Sequence, residues 1–248
     1  MGCASLHPSR IEALLLNSRI PEEKAFIDGP AGKLETVLAE PDTGQLRGIA
    51  VVAHPHPRYG GTMNNKVVHT MFKSFLELGF ITVRFNFRGV EQSEGTLYSG
   101  KDTGSGETED VLAVAEAMRN RFATHFDAPP PLLLAGFSFG GAIQAQAAQM
   151  LKPRILVMIA PAFQHLDASP VASPGARHGT EGVPRVLIIH GDKDDIIPLE
   201  LGRQVFEAAK PPKSFYLIKG ADHNNTYQVG GAAYFRRWVE FVQTAIRS

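Results

Sequence analysis

Residues 132–141 read Leu132-Leu133-Leu134-Ala135-Gly136-Phe137-Ser138-Phe139-Gly140-Gly141, and this stretch decides the fold. The apolar run that opens it suits a strand buried on both faces, and the alanine-rich run 142–151 that follows suits a helix. Between them lies G-x-S-x-G, a serine on a sharp strand-to-helix turn. Such a turn brings together the backbones two residues before and two after the serine, so both must be small, as Gly136 and Gly140 are. The geometry lifts the Ser138 hydroxyl clear of the sheet. It also leaves the N–H of Phe139 at a helix N-terminus, where it can donate to a developing oxyanion. The plain alternative is a glycine-rich turn with an incidental serine, because short motifs also match by chance.

A serine hydroxyl is a weak nucleophile at neutral pH, so it needs a histidine base, and that base needs a carboxylate to fix its tautomer. Two apolar runs downstream end in suitable residues. Residues 185–190 lead into Gly191-Asp192-Lys193-Asp194-Asp195-Ile196-Ile197-Pro198, and residues 214–219 lead into Gly220-Ala221-Asp222-His223. Nucleophile, acid and base then follow one another along the chain in the order that the strand-turn-helix serine motif uses.

Outside these runs, short β-like stretches alternate with longer helical ones from about residue 24, which points to an α/β class with a mostly parallel central sheet and helices on both faces. Strands are expected at 48–54, 81–87, 132–136, 154–160, 185–190 and 214–219, with 25–28 and 34–40 as an antiparallel edge. Helical stripes run through Val67, Val68, Met71, Phe72, Phe75 and Leu76, through Val111, Val114, Met118 and Phe122, and through Phe235, Trp238, Val239, Val242 and Ile246. Their spacing is that of core-facing helices. The stretch 164–182, rich in Pro, Gly, Ser and His, interrupts the pattern and reads as a small cap loop or pocket wall. Ser9 and Glu12 have capping-box spacing before Ala13-Leu14-Leu15-Leu16, so residues 1–23 read as an N-terminal extension with a short helix, and 24–248 as a single domain.

From about residue 24 to the end, the chain resembles the α/β-hydrolases. In that family the acid sits in a Gly-x-x-Asp-x-[Ile/Val]-[Ile/Val]-Pro turn, which falls here on Gly191, Asp194, Ile196, Ile197 and Pro198. The resemblance therefore marks Asp194 as the acid and leaves Asp192 and Asp195 to a solvated turn. His223 matches the base. The second oxyanion donor comes from the loop after the strand at 48–54, which reads His54-Pro55-His56-Pro57-Arg58-Tyr59-Gly60-Gly61-Thr62-Met63. Proline has no N–H, so Pro55 and Pro57 are excluded, and the family's loop pattern sets the donor at His56. The His-Pro-His-Pro start resembles a bacterial subgroup of small α/β-hydrolases. Arg84-Phe85-Asn86-Phe87-Arg88-Gly89 is a family-like strand end, although Glu91 stands where relatives often carry glycine.

Composition narrows the chemistry. The 248 residues carry 25 Lys and Arg against 25 Asp and Glu, with 44% hydrophobic residues. A balanced chain lacks the concentrated basic surface that nucleic acid or an anionic membrane requires. No apolar stretch approaches the roughly 20 residues of a membrane-spanning helix. Glu12 breaks the only candidate leader core, and Leu6 stands where a myristoylation pattern needs Ser or Thr. Cys3, the single cysteine, can form no internal disulfide, and a reducing cytoplasm is the expected home. A rival reading takes His54, His56, His190, Asp192 and Asp194 as metal ligands, but it leaves the serine turn unexplained. A silent scaffold would normally have lost a member of the triad, and no G-x-G-x-x-G opens a dinucleotide site. The expectation is therefore hydrolysis of a small carboxylic ester through an acyl-enzyme, without cofactor or metal. Tyr59, Met63, Phe137, Phe163 and the 164–182 loop would wall a pocket for a modest apolar acyl group. Thioesters and peptides use the same machinery.

Overall fold

The computed structural model describes residues 21–42, 45–97, 104–165 and 185–247. Its framework is one eight-stranded sheet in the order β1-β2-β4-β3-β5-β6-β7-β8. The strands are β1 (Glu23–Gly29), β2 (Gly32–Ala39), β3 (Gly48–Ala53), β4 (Phe80–Phe85), β5 (Leu132–Phe137), β6 (Ile155–Ile159), β7 (Arg185–Gly191) and β8 (Lys213–Ile218). β1 and β2 form an antiparallel hairpin, and β2 lies antiparallel to β4. Every other neighbouring pair is parallel, and β3, β4, β5 and β6 are buried throughout; the runs of β3, β5 and β6 are apolar without a break, whereas β4 buries Thr82 and Arg84 as well.

Parallel neighbours need crossover connections; α1 (Lys66–Glu77), α2 (Ser105–Arg121), α3 (Phe139–Leu151) and α4 (Leu199–Ala208) supply four of them, and α5 (Thr226–Arg247) follows β8. Successive side chains of a strand point to opposite faces, and β3 divides accordingly. Ile49, Val51 and Ala53 join a core with Val111, Val114 and Met118 of α2, Ile143 of α3 and Val205 of α4. Ala50 and Val52 join another with Val67, Met71 and Phe75 of α1 and Tyr234, Trp238 and Val242 of α5. The helices thus cover both faces, and the helical stripes read from the sequence are the covering surfaces. The chain leaves β3 for β4 on one side and then returns to β5 on the other. The reversal opens a crevice beyond the carboxyl ends of β3 and β5, where open α/β sheets bind ligands.

Several strand ends differ from the expected ones by one or two residues. β3 stops at Ala53 and β4 at Phe85, because His54, Asn86 and Phe87 turn their polar groups to the loops beyond the sheet. Glu91 takes the positive φ, 47°, that glycine would adopt without strain. Its carboxylate offsets the cost by accepting from Asn86 Nδ2 at 3.0 Å and Asn64 Nδ2 at 3.4 Å. The short helix expected near residues 9–16 lies outside the described residues. So does all of the expected cap loop beyond a single 3₁₀ turn, Phe163–His165. Among the described residues, no helix is long and apolar enough to cross a membrane.

Candidate active site

Ser138 stands between β5 and α3 with φ 55° and ψ −120°, a conformation that side chains other than hydrogen rarely accept. The surroundings enforce it. Its N–H donates to the carbonyl of Ile159 at 2.8 Å, and its own carbonyl accepts from Ala162 at 3.1 Å and Gly141 at 3.0 Å. A Cβ on Gly136 would run into the carbonyl of Gly140, and one on Gly140 into the carbonyls of Ala53 and His54. Gly136 is there for the reason that the motif predicts, whereas Gly140 is required by the close approach of the β3 end. Phe139 opens α3, so its N–H is one of those that no intrahelical bond uses.

The expected acid lies in the turn after β7. Asp194 Oδ1 accepts from the backbone N–H groups of Ile196 at 3.0 Å and Ile197 at 2.7 Å, while Oδ2 accepts from His223 Nδ1 at 2.7 Å. Burial pushes this carboxyl up. The hydrogen bonds from His223 and Ile197, with the charges of His223 and His190, outweigh burial and hold it below its ordinary value. The His223 ring packs on Phe137 with 4.7 Å between centroids. Its loop is shaped by Asp222, whose Oδ1 accepts from the N–H groups of Asn224 and Asn225. Asp192 does not face the histidine; its Oδ1 accepts from the N–H of Gly220 at 2.5 Å and ties the acid turn to the loop that carries His223. Asp195 is exposed.

The loop after β3 is held at both ends by residues at the end of β4 and just past it. At its start His54 is fully buried, with Nδ1 2.7 Å from the Pro55 carbonyl and Nε2 accepting from the N–H of Phe87 at 3.1 Å. Burial pushes this imidazole down to about 4, against the hydrogen bond to Pro55, and the neighbouring His56 adds to the shift. At the far end, Met63 donates its N–H to Asn86 Oδ1 at 2.8 Å, and Arg84 donates to the Met63 carbonyl at 3.1 Å and to Asn64 Oδ1 at 2.9 Å. Between these anchors His56 has φ −58°, and its ring packs on Phe139 with 4.5 Å between centroids.

Ser138 and His223 line one cleft of about 390 Å³ together with His56, Tyr59 and Phe137. Asp194 sits behind His223, its side chain fully buried. Two expected pocket residues are elsewhere. The paired backbone bonds of Met63 turn its side chain inward, onto Val37, Ala39, Phe72 and Leu76. Phe163 is buried in the core with Phe139 and Ala142. Ile196, Asn224 and Asn65 line the cleft instead, and sequence reasoning passed over all three. Ile196 is 53% exposed beside the fully buried Ile197, an outward direction that the sequence does not mark. A larger groove of about 510 Å³ runs along β8 beside Phe206 and Arg237, away from Ser138. Among the described residues, no three His, Cys, Asp or Glu side chains are grouped to hold a metal ion. Both nitrogens of His54, a ligand in the rival reading, are committed to protein groups.

Residues 28–176 match the family described as X-Pro dipeptidyl-peptidase (S15 family), a match that takes in the Ser138 turn and ends before Asp194. An alpha-beta serine hydrolase homologue from Coxiella burnetii is 34% identical. The similarity covers 90% of this chain and 98% of that one, with a TM-score of 0.73. XC6422 from Xanthomonas campestris, described as a serine hydrolase without lid, is 29% identical over 90% of this chain and 98% of its own, with a TM-score of 0.70. An uncharacterized Rickettsia prowazekii protein is 31% identical over 216 residues, 82% of either chain.

Proposed function

The chain belongs to this S15 family, within the α/β-hydrolase superfamily, and we propose that it is a serine hydrolase cleaving small, uncharged carboxylic esters through an acyl-enzyme. Ser138 attacks the ester carbonyl and His223 takes its proton. The 2.7 Å contact to Asp194 fixes the Nδ1–H tautomer of His223, which leaves Nε2 as the base. The N–H groups of Phe139 and His56 receive the oxyanion. The protonated imidazole then returns its proton to the leaving alkoxide, and water repeats the cycle on the acyl-enzyme. One observation carries this reading: a serine in a strained turn lines the same cleft as a histidine whose other nitrogen is held by a buried carboxylate. Nothing in the cycle calls for a cofactor, and the single cysteine suits the cytoplasm.

The family's description favours a second reading, removal of X-Pro dipeptides. That reaction requires recognition of a protonated N-terminal amine, for which a carboxylate is the natural partner. Among the described residues that line the cleft there is no Asp, Glu, Lys or Arg, and Tyr59, Phe137 and Ile196 offer apolar surface. This lining supports a neutral acyl group. Ser138→Ala removes the nucleophile and little volume, so turnover of p-nitrophenyl butyrate should fall on the order of 10⁴ to 10⁶ while the fold is retained. Faster cleavage of Gly-Pro-p-nitroanilide than of the ester by the wild-type chain would favour the peptidase.

A further inference from the structure

His190, the penultimate residue of β7, is fully buried behind the cleft and takes no part in the cycle above. Its Nε2 lies 2.9 Å from the carbonyl of Ile197 and 3.5 Å from Asp194 Oδ2. Both neighbours are acceptors, so Nε2 carries the proton. The other nitrogen, Nδ1, has no hydrogen-bond partner among the described residues and faces Gly202 of α4, where a Cβ would collide with it. A bare acceptor is tolerated there better than an orphaned N–H would be, which selects a single neutral tautomer. Burial, outweighing the Ile197 hydrogen bond and the charge of Asp194, also keeps the imidazole below its ordinary value.

Two adjoining peptide units, those on either side of the Ile197 Cα, are held as a result. The N–H of Ile197 donates to Asp194 Oδ1, and the carbonyl of Ile197 accepts from His190. Ile197 is therefore gripped from both sides, and the carboxylate that leans on it is held at the angle where Oδ2 meets His223. We propose that His190 is a positioning residue: through the Ile197 carbonyl it holds Asp194 in register with His223. The proposal rests on reading Asp194 as the acid of the triad. A residue that merely filled space would need no donor here, whereas an apolar side chain would leave the Ile197 carbonyl unpaired. Gly202 leaves room for the ring by having no side chain.

The test uses the full chain and p-nitrophenyl butyrate. His190→Leu removes the donor and should lower kcat about fivefold, the rate equivalent of one neutral hydrogen bond, with KM unchanged. His190→Gln carries an amide nitrogen to the place of Nε2 and should recover most of the loss. If the leucine variant fails to fold, His190→Asn, whose amide is too short to reach Ile197, takes its place. A folded leucine or asparagine variant with wild-type kcat overturns the proposal, as does a glutamine variant as slow as the leucine one. Asp194→Asn, measured alongside, separates the two claims. If it is slow while His190→Leu is not, the positioning role alone falls. If Asp194→Asn keeps wild-type kcat, the triad reading falls as well.

Discussion

His54 shows how much one neutral ring can hold. It donates through Nδ1 to the Pro55 carbonyl and accepts through Nε2 from Phe87, so protonation would turn the acceptor into a second donor aimed at an N–H. Its value in the folded chain is about 4 against an ordinary 6.5, so between these pH values the unfolded chain binds a proton that the folded chain refuses. The stability present above pH 6.5 is lost as the pH falls toward 4, a loss on the order of 3 kcal/mol from this group. Urea denaturation of the wild type at intervals from pH 7 to pH 4 should show that decline, and His54→Gln should start less stable and decline less. The three aspartates of the acid turn make a second residue-scale test. Asp194→Asn should cost orders of magnitude in kcat, because His223 loses the group that fixes its tautomer. Asp192→Asn should chiefly lower the melting temperature through the weakened tie to Gly220, and Asp195→Asn should do neither. The resemblance picked Asp194 from the spacing of Gly191, Ile197 and Pro198. Nothing in the sequence disclosed the structural task of Asp192, because a contact from one loop to another leaves no local pattern.

The strand-turn-helix at Ser138 was legible because three local rules agree there: an apolar run, two obligatory glycines and a helix-forming run. The loop after β3 was legible only in part. Its prolines excluded two donors, but the direction of Met63 is set by Asn86 and Arg84, whose contacts span more than twenty residues of chain. The same grip makes a clean test of the oxyanion loop. His56 has φ −58°, close to the value that a proline ring imposes, so His56→Pro can remove the N–H without forcing the backbone. That variant should lose about 10² to 10³ in kcat. His56→Ala keeps the N–H and gives up the ring's packing on Phe139, so its loss should be far smaller. Circular dichroism of both variants would establish that they fold. A folded proline variant at near-normal rate would exclude His56 as the donor, and an alanine variant equally damaged would assign chemistry to the imidazole.

At the scale of the molecule, the site is a product of topology. Ser138 and the loop of His56 follow β5 and β3, the neighbours between which the strand order reverses, while Asp194 and His223 follow β7 and β8. Residues far apart in the chain thus meet at one end of the sheet; the strands that carry them were legible from apolar runs, but their order in the sheet was not. The cleft wall was less so. Ile196 and Asn224 come from the same turns as the acid and the base, and only their outward direction in three dimensions makes them lining residues. The central claim is that this arrangement activates Ser138, and reaction with a fluorophosphonate probe tests it most directly. Mass spectrometry of the labelled chain should place one covalent adduct on Ser138, with labelling abolished in Ser138→Ala and slowed strongly in His223→Ala. An unlabelled wild type that nonetheless hydrolyses the ester, or an adduct on another residue that persists in Ser138→Ala, would contradict it.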